Sequence, residues 1–145
     1  MYATRSKLHG PRHRLTFLSA GNLSDLMVES QLWDEAKKLL SEQITLALET
    51  FGPDHDETLR MRWRYALVLQ TEEKYTEAVA ILEDVARRYR RVFGISHPMT
   101  ARVQDVLGNA RERLSEAKVA SLIESRVQNL RAALRAREET PSSET

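Results

Sequence analysis

An all-α fold of about three stacked, antiparallel helix pairs is what this sequence predicts, and three observations predict it. A Gly-x-x-His phrase recurs every 42 residues, as Gly10-Pro11-Arg12-His13, Gly52-Pro53-Asp54-His55 and Gly94-Ile95-Ser96-His97. A second phrase keeps the same step, Trp33-Asp34-Glu35-Ala36 returning as Tyr75-Thr76-Glu77-Ala78. Between the phrases, apolar residues fall at steps of three and four, with no alternation by two and no Asn-Gly or Asp-Gly dipeptide. Self-similarity at a fixed period of this size belongs to proteins that stack one supersecondary unit on the next. The 3.6-residue apolar period makes that unit helical.

Laying residues 10–51 on 52–93 gives eight identical pairs: the Gly, Pro and His of the phrase, Thr16/Thr58, Glu35/Glu77, Ala36/Ala78, Leu40/Leu82 and Phe51/Phe93. Laying 52–93 on 94–135 keeps Gly94, His97, Thr100, Arg102, Ala120 and Val127, a thinner match of the kind terminal repeats show. The repeats are therefore 10–51, 52–93 and 94–135, in a domain of residues 10–137. Residues 1–9 read as a flexible lead-in, and 138–145, with Pro141 and serines, as a disordered tail.

The first helix is expected from about Arg14 to Glu29, with Phe17, Leu23, Leu26 and Met27 as core. The second, from about Leu32 to Thr50, carries one stripe: Trp33, Ala36, Leu39, Leu40, Ile44, Ala47, Leu48 and Phe51. Gly52-Pro53 stops it, because proline cannot continue a helix. The third begins at His55 or Asp56, with acids in the first turn where the helix dipole favours them. Arg62, Tyr65, Ala66 and Leu69 make one face of it, with Met61 and Val68 beside it. After the polar turn Thr71-Glu72-Glu73-Lys74, the fourth runs from Tyr75 to Phe93 on the stripe Tyr75, Ala78, Val79, Leu82, Val85, Ala86, Tyr89 and Phe93. Pro98 suits the first position of the fifth, where a missing N–H costs nothing, and Val103, Val106, Leu107 and Ala110 are its apolar side. Two readings then stand. Repeat register asks for a turn at Arg113-Leu114-Ser115-Glu116 and a sixth helix. The residues there include no Gly or Pro, and the apolar steps continue through 114, 117, 120, 123, 127, 130 and 134, which reads as a single helix from Pro98 to about Arg137.

One helix pair cannot bury its stripe alone, so each pair needs the next. Small residues at matching positions mark the expected close approaches: Ser24, Ala66 and Gly108 on first helices, Ala36, Ala78 and Ala120 on second helices.

Composition narrows the function. The formal net charge is +1, so no bulk field draws the chain to nucleic acid or membrane. There is no cysteine, which removes disulfide, thiolate and Cys-zinc chemistry. The N-terminal residues lack the apolar run of a signal peptide and no stretch approaches a membrane span, so the cytoplasm is the expected location. No Gly-rich phosphate loop, His-Glu-x-x-His or nucleophile–base pair is present; a non-catalytic protein without cofactor or metal is expected. His13, His55 and His97 keep the repeat period, and sites one repeat apart are far too distant to share a metal, so each is expected to make a turn or cap hydrogen bond.

A small residue on a first helix followed by an aromatic-x-Glu-Ala start to the second resembles the tetratricopeptide repeats. The 42-residue period and the turns Phe51-Gly52-Pro53-Asp54-His55-Asp56 and Phe93-Gly94-Ile95-Ser96-His97-Pro98 resemble the kinesin-light-chain type. The resemblance covers about residues 10–135. Where that type carries paired asparagines, this chain has Gly21-Asn22, Trp63-Arg64 and Asp105-Val106. The resemblance implies a right-handed α-α superhelix and a scaffold or adaptor that binds a peptide segment of a partner on the concave face of its first helices.

The candidate peptide-binding residues on that face are Arg60, Trp63, Arg64, Leu67 and Gln70 in the second repeat, and Arg102, Asp105, Asn109 and Glu112 in the third. The first-repeat counterparts are Leu18, Gly21, Asp25 and Val28. An exposed Trp63 beside Arg60 and Arg64 suits an acidic or aromatic peptide, through ion pairs and cation–π contact. The basic run Arg87-Arg88-Tyr89-Arg90-Arg91 is expected to be a solvated face, since Tyr89 falls on the core stripe, and nucleic-acid binding is disfavoured. The alternative function is self-association as a homodimer through the C-terminal helix, whose stripe needs a partner.

Overall fold

The computed structural model describes residues 3, 10 and 12–140. The expected lead-in, residue 3 apart, and the part of the expected tail at 141–145 lie outside the described residues. Five helices run through residues 14–139: α1 (Arg14–Glu29), α2 (Trp33–Phe51), α3 (Asp56–Thr71), α4 (Tyr75–Phe93) and α5 (Pro98–Glu139). The chain divides into two compact units, Met1–Arg111 and Glu112–Thr145.

Each repeat starts with the same small device. Gly10, Gly52 and Gly94 take φ of +84°, +87° and +82°, a region open to glycine and strained for other residues. Three residues later a histidine caps the helix. The Nδ1 atoms of His13, His55 and His97 each accept the backbone N–H two residues on, from Leu15, Glu57 and Met99, at 3.1 Å. Each bond satisfies one of the orphan donors of a helix N-terminus. Three residues further, the hydroxyls of Thr16, Thr58 and Thr100 donate back to the glycine carbonyls at 2.6, 2.8 and 2.8 Å. All three threonines are buried. The expected cap role of the periodic histidines is thus met in every repeat. In the second repeat the ring also stacks on the aromatic residue four positions before it, Phe51 on His55 at 4.3 Å between centroids, and in the third His97 packs tilted against Phe93 at 4.9 Å.

Within a repeat the turn is tight. Gln31 and Glu73 adopt φ of 61° and 62°. Leu32 N–H reaches the Met27 carbonyl at 2.7 Å and Lys74 N–H reaches Leu69 at 2.8 Å, closing α1 and α3 before α2 and α4 begin. The helices pack in the order of the chain, α1 on α2, α2 on α3 and α3 on α4, and α1 also meets α3 across the repeat boundary. Phe17, Ala36, Leu40, Ala47, Met61 and Val68 form one buried cluster spanning the first two repeats. The α4 stripe is buried as expected, with Ala78, Leu82, Val85 and Tyr89 fully covered. Two expected core residues are not core: Leu26 is 60% exposed and Leu48 41%. Leu26 corresponds to Val68, which is covered because a helix pair precedes it, whereas no pair precedes α1 among the described residues.

The third repeat departs from the three-pair expectation, because no second helix forms in it among the described residues. α5 continues as a single helix for 42 residues, through the expected turn and past the expected end at Arg137 to Glu139. Its buried residues stop at Ala110. The repeat register explains why. Turning requires a non-glycine residue in the left-handed region, as at Gln31 and Glu73, at roughly 1–2 kcal/mol. A second helix must offset that by burial. Leu82 and Tyr89 of α4 are fully buried and Phe93 is half-buried, and their counterparts 42 residues on are Glu124, Arg131 and Arg135. Each large apolar side chain lost forgoes about 1.5–3 kcal/mol. Continuing the helix costs less than turning it. The expected close approaches at Gly108 and Ala120 fail with it: both residues are exposed, while Ser24, Ala66, Ala36 and Ala78 are buried.

Candidate functional site

The first helices bring part of the sequence-derived site together. Arg14, Leu15 and Leu18 of α1 and Glu57, Arg60, Met61 and Arg64 of α3 line a cleft of about 440 Å³. Its apolar walls come from Leu15, Leu18 and Met61, and its edges from arginines and Glu57. Leu18, Arg60 and Arg64 are the candidates that meet in it. Leu18 is exposed, and Arg60 is partly exposed with its Nε donating to Asp56 Oδ2 at 3.0 Å. An i,i+4 pair of this kind contributes only about 0.3–0.5 kcal/mol, so it yields readily to a stronger anion.

Arg64 is committed elsewhere. Its guanidinium donates to the Gly21 carbonyl at 3.0 Å and pairs with Asp25, crossing from α3 to α1. It lies over Gly21 so closely that a Cβ there would sit 2.9 Å from it. Gly21 and Asp25 thus hold an inter-repeat clamp, and Arg64 is not the open cation the sequence suggested. The exposed Trp63 is corrected too: it is half-buried, and its indole N–H is buried with no acceptor among the described residues. Leu67 and Gln70 are half-buried, and Val28 packs against the core cluster. Arg102, Asp105, Asn109 and Glu112 are exposed on α5 and do not line this cleft. Sequence reasoning missed Arg14, Leu15, Glu57 and Met61. Glu57 carried the clearest signal: an acid in the first turn of α3, here buried and paired with Arg14 Nε at 3.1 Å across the repeat boundary.

The basic run on α4 is largely neutralised. Asp84 accepts from Arg62, Arg87 and Arg88 at 2.6, 2.7 and 2.9 Å, and Asp54 accepts from Arg88 and Arg91 at 2.8 and 3.1 Å. Burial opposes the charge on Asp84, but the hydrogen bonds from Arg62, Arg88 and Arg87 outweigh it and hold the carboxyl well below the usual carboxylate range. Tyr89 is fully buried, and its hydroxyl donates to Asp56 Oδ1 at 2.8 Å. Burial first, and the Asp56 carboxylate second, push its phenol far above the usual tyrosine range. The expected arrangement of a core tyrosine flanked by surface arginines is the one found.

Among the described residues, no group of three metal-ligating side chains converges, and no helix is long and apolar enough to cross a membrane. A search of curated proteins gives no significant match. The family model of the tetratricopeptide repeat matches residues 57–139, more than half of the chain. Such repeats generally mediate protein–protein interaction. Helix pairs at a fixed period, the recurring caps and this match agree, and the chain belongs to the tetratricopeptide repeat family.

Proposed function

We propose that the chain is a non-catalytic adaptor that binds a peptide segment of a partner protein on the face made by its first helices, and that its repeats are of the kinesin-light-chain type. The observation that carries the reading is the cleft between α1 and α3, apolar inside and edged by Arg14 and Arg60. Its volume of about 440 Å³ suits one large apolar side chain and its neighbours. An aromatic residue seated between Leu18 and Met61, with a carboxylate reaching Arg60 in competition with Asp56, is the complementary ligand. The 42-residue period and the Gly-x-x-His turns support the finer family type. The test is a pool of acidic, aromatic-containing peptides titrated against the full chain. Saturable binding lost in Arg60→Glu and in Leu18→Glu supports the reading, and binding indifferent to both removes it.

A second reading is favoured by one observation. Val119, Ile123, Val127, Leu130 and Leu134 form a stripe on the second half of α5, and all five are exposed. Pairing of this stripe with that of a second copy would make the protein a homodimer. Light scattering separates the cases: a dimer mass that truncation after Arg113 converts to a monomer supports self-association, and a monomer mass for the full chain excludes it.

A further inference from the structure

We propose that the groove between α4 and the first part of α5 is a docking seat for one helix of a partner protein, with small or apolar residues on its inner face and carboxylates along its edges. The argument is internal to the repeat. In the first two repeats, Ser41 and Ile44 of α2 and Arg62 and Tyr65 of α3, together with Ile81 of α4, line a small pocket of about 180 Å³. The residues 42 positions on from those four are Glu83, Ala86, Gln104 and Leu107, and all four line a groove of about 450 Å³. The residue 42 positions on from Ile81 is Ile123, which is 59% exposed. Four of the five positions that line the first site thus recur around the second.

Gly108 makes the same point at the backbone. Its counterparts Ser24 and Ala66 are 1% and 0% exposed, while Gly108 is exposed, with no atom within 4 Å of where its Cβ would stand. A close-approach position with a residue small enough for a helix to cross it is left bare on α5.

Charge selects the occupant. Arg87, Arg90 and Arg111 stand around the groove against a single glutamate, Glu83. Arg111 is shared with Glu83 at 3.1 Å and Arg87 with Asp84 at 2.7 Å; Arg90 pairs with no carboxylate among the described residues. The chain's own segment in register with α4, residues 117–135, presents Glu124, Arg131 and Arg135 where α4 presents Leu82, Tyr89 and Phe93. It therefore lacks the large residues of the α4 face and brings arginines toward a basic rim, so the same segment of a second copy is a poor occupant of this groove. A helix with the α4 stripe and an acidic exterior satisfies both the groove and its rim.

The test uses the full chain and a labelled synthetic peptide with the Tyr75–Phe93 sequence in which Arg87, Arg88, Arg90 and Arg91 are replaced by glutamate. Fluorescence anisotropy is expected to show saturable binding, weakened about tenfold or more by Gly108→Glu and by Arg90→Glu, and unchanged by Arg60→Glu. Gly108→Glu places a bulky anion in the seat at an exposed helical position, where glutamate is a better helix former than glycine, so circular dichroism should show the fold retained. The unaltered, basic peptide is expected to bind about tenfold or more weakly than the acidic one. No saturable binding of the acidic peptide overturns the proposal, as does equal affinity for the Gly108→Glu chain. A doubled mass without peptide, abolished by Gly108→Glu, overturns it in favour of a second copy. The first-helix reading stands or falls on Arg60→Glu and Leu18→Glu instead, so the two failures are distinguishable.

Discussion

Replacing Thr58 by valine tests whether the repeated cap holds the repeats in place. Valine keeps the shape and burial of threonine and removes only the hydroxyl. Thr58 is fully buried, and its hydroxyl is 2.8 Å from the Gly52 carbonyl. The same change can be made at Thr16 and Thr100, and the structure ranks the three. The Gly10 and Gly94 carbonyls keep a second donor after the change, the N–H of His13 at 3.5 Å and of His97 at 3.4 Å. The Gly52 carbonyl has no second donor among the described residues. Thr58→Val therefore loses a hydrogen bond and strands a carbonyl, at about 1–3 kcal/mol, while the other two lose about 0.5–1.5 kcal/mol. At about 2–4 °C per kcal/mol for a chain near this size, a 2 kcal/mol loss lowers the melting temperature by about 4–8 °C. Urea and thermal unfolding followed by circular dichroism measure it, with Thr76→Val on the exposed start of α4 as control. The reasoning is refuted if Thr58→Val lies within about 0.5 kcal/mol of that control, a difference typical of neutral surface changes, or if either outer threonine costs more.

Ala78→Arg puts an unpaired charge at a fully buried helix contact and is expected to cost at least about 3 kcal/mol in urea unfolding. Asp84→Asn removes the anion shared by three arginines and is expected to cost about 1–3 kcal/mol at pH 7. Because the folded-state pKa of Asp84 is depressed, its contribution is complete above its unfolded value of about 4 and drains away as pH falls through its folded value. The gap between wild type and Asp84→Asn should therefore be steady from pH 7 to about 5 and narrow below about 4, and a gap that widens on acidification contradicts the network. Finally, Ser115→Gly with Glu124→Leu, Arg131→Tyr and Arg135→Phe restores the turn and stripe of a sixth helix. Amide exchange over residues 117–135 should slow about tenfold or more, each buried apolar side chain being worth about 1.5–3 kcal/mol. Exchange unchanged from wild type would show that something other than the missing stripe keeps α5 continuous.

Most of the fold was legible because its signals are local. The starts of α1, α3 and α5 follow from Gly, His and Pro placed within a few residues, and the α4 boundaries from an aromatic at each end of an eight-position stripe. What was not legible depends on neighbours. Leu26 and Val68 occupy the same repeat position, and only the preceding pair separates an exposed residue from a buried one. Leu59, fully buried, sits where Phe17 sits in the first repeat, a correspondence the alignment contained but the apolar steps within α3 did not display. The continuity of α5 turns on an energy difference between two conformations of Arg113–Glu116, decided by Glu124, Arg131 and Arg135 further along. At the site, Leu18, Arg60 and Arg64 were placed on the right helices. The capture of Arg64 by Gly21 and Asp25 was hidden, because it pairs atoms about 40 residues apart and a helical glycine reads as a weakness rather than as room for a guanidinium.

The reach of the cap contacts has a consequence for how such a chain grows. Every bond that starts a repeat, from glycine to histidine to threonine, closes within six residues. Residues 52–93 are thus a self-starting cassette: a cut just before Gly52 and another just before Gly94 leave its capping hydrogen bonds whole. Recombination that duplicates or deletes one such block changes the reach of the array by a full step while every start in it is still written in its own sequence. What does not travel with the cassette is the match between one block and the next, such as the Arg14–Glu57 pair and the Arg64–Gly21 clamp. Those junction residues, rather than the caps, are where a lengthened array would have to adapt.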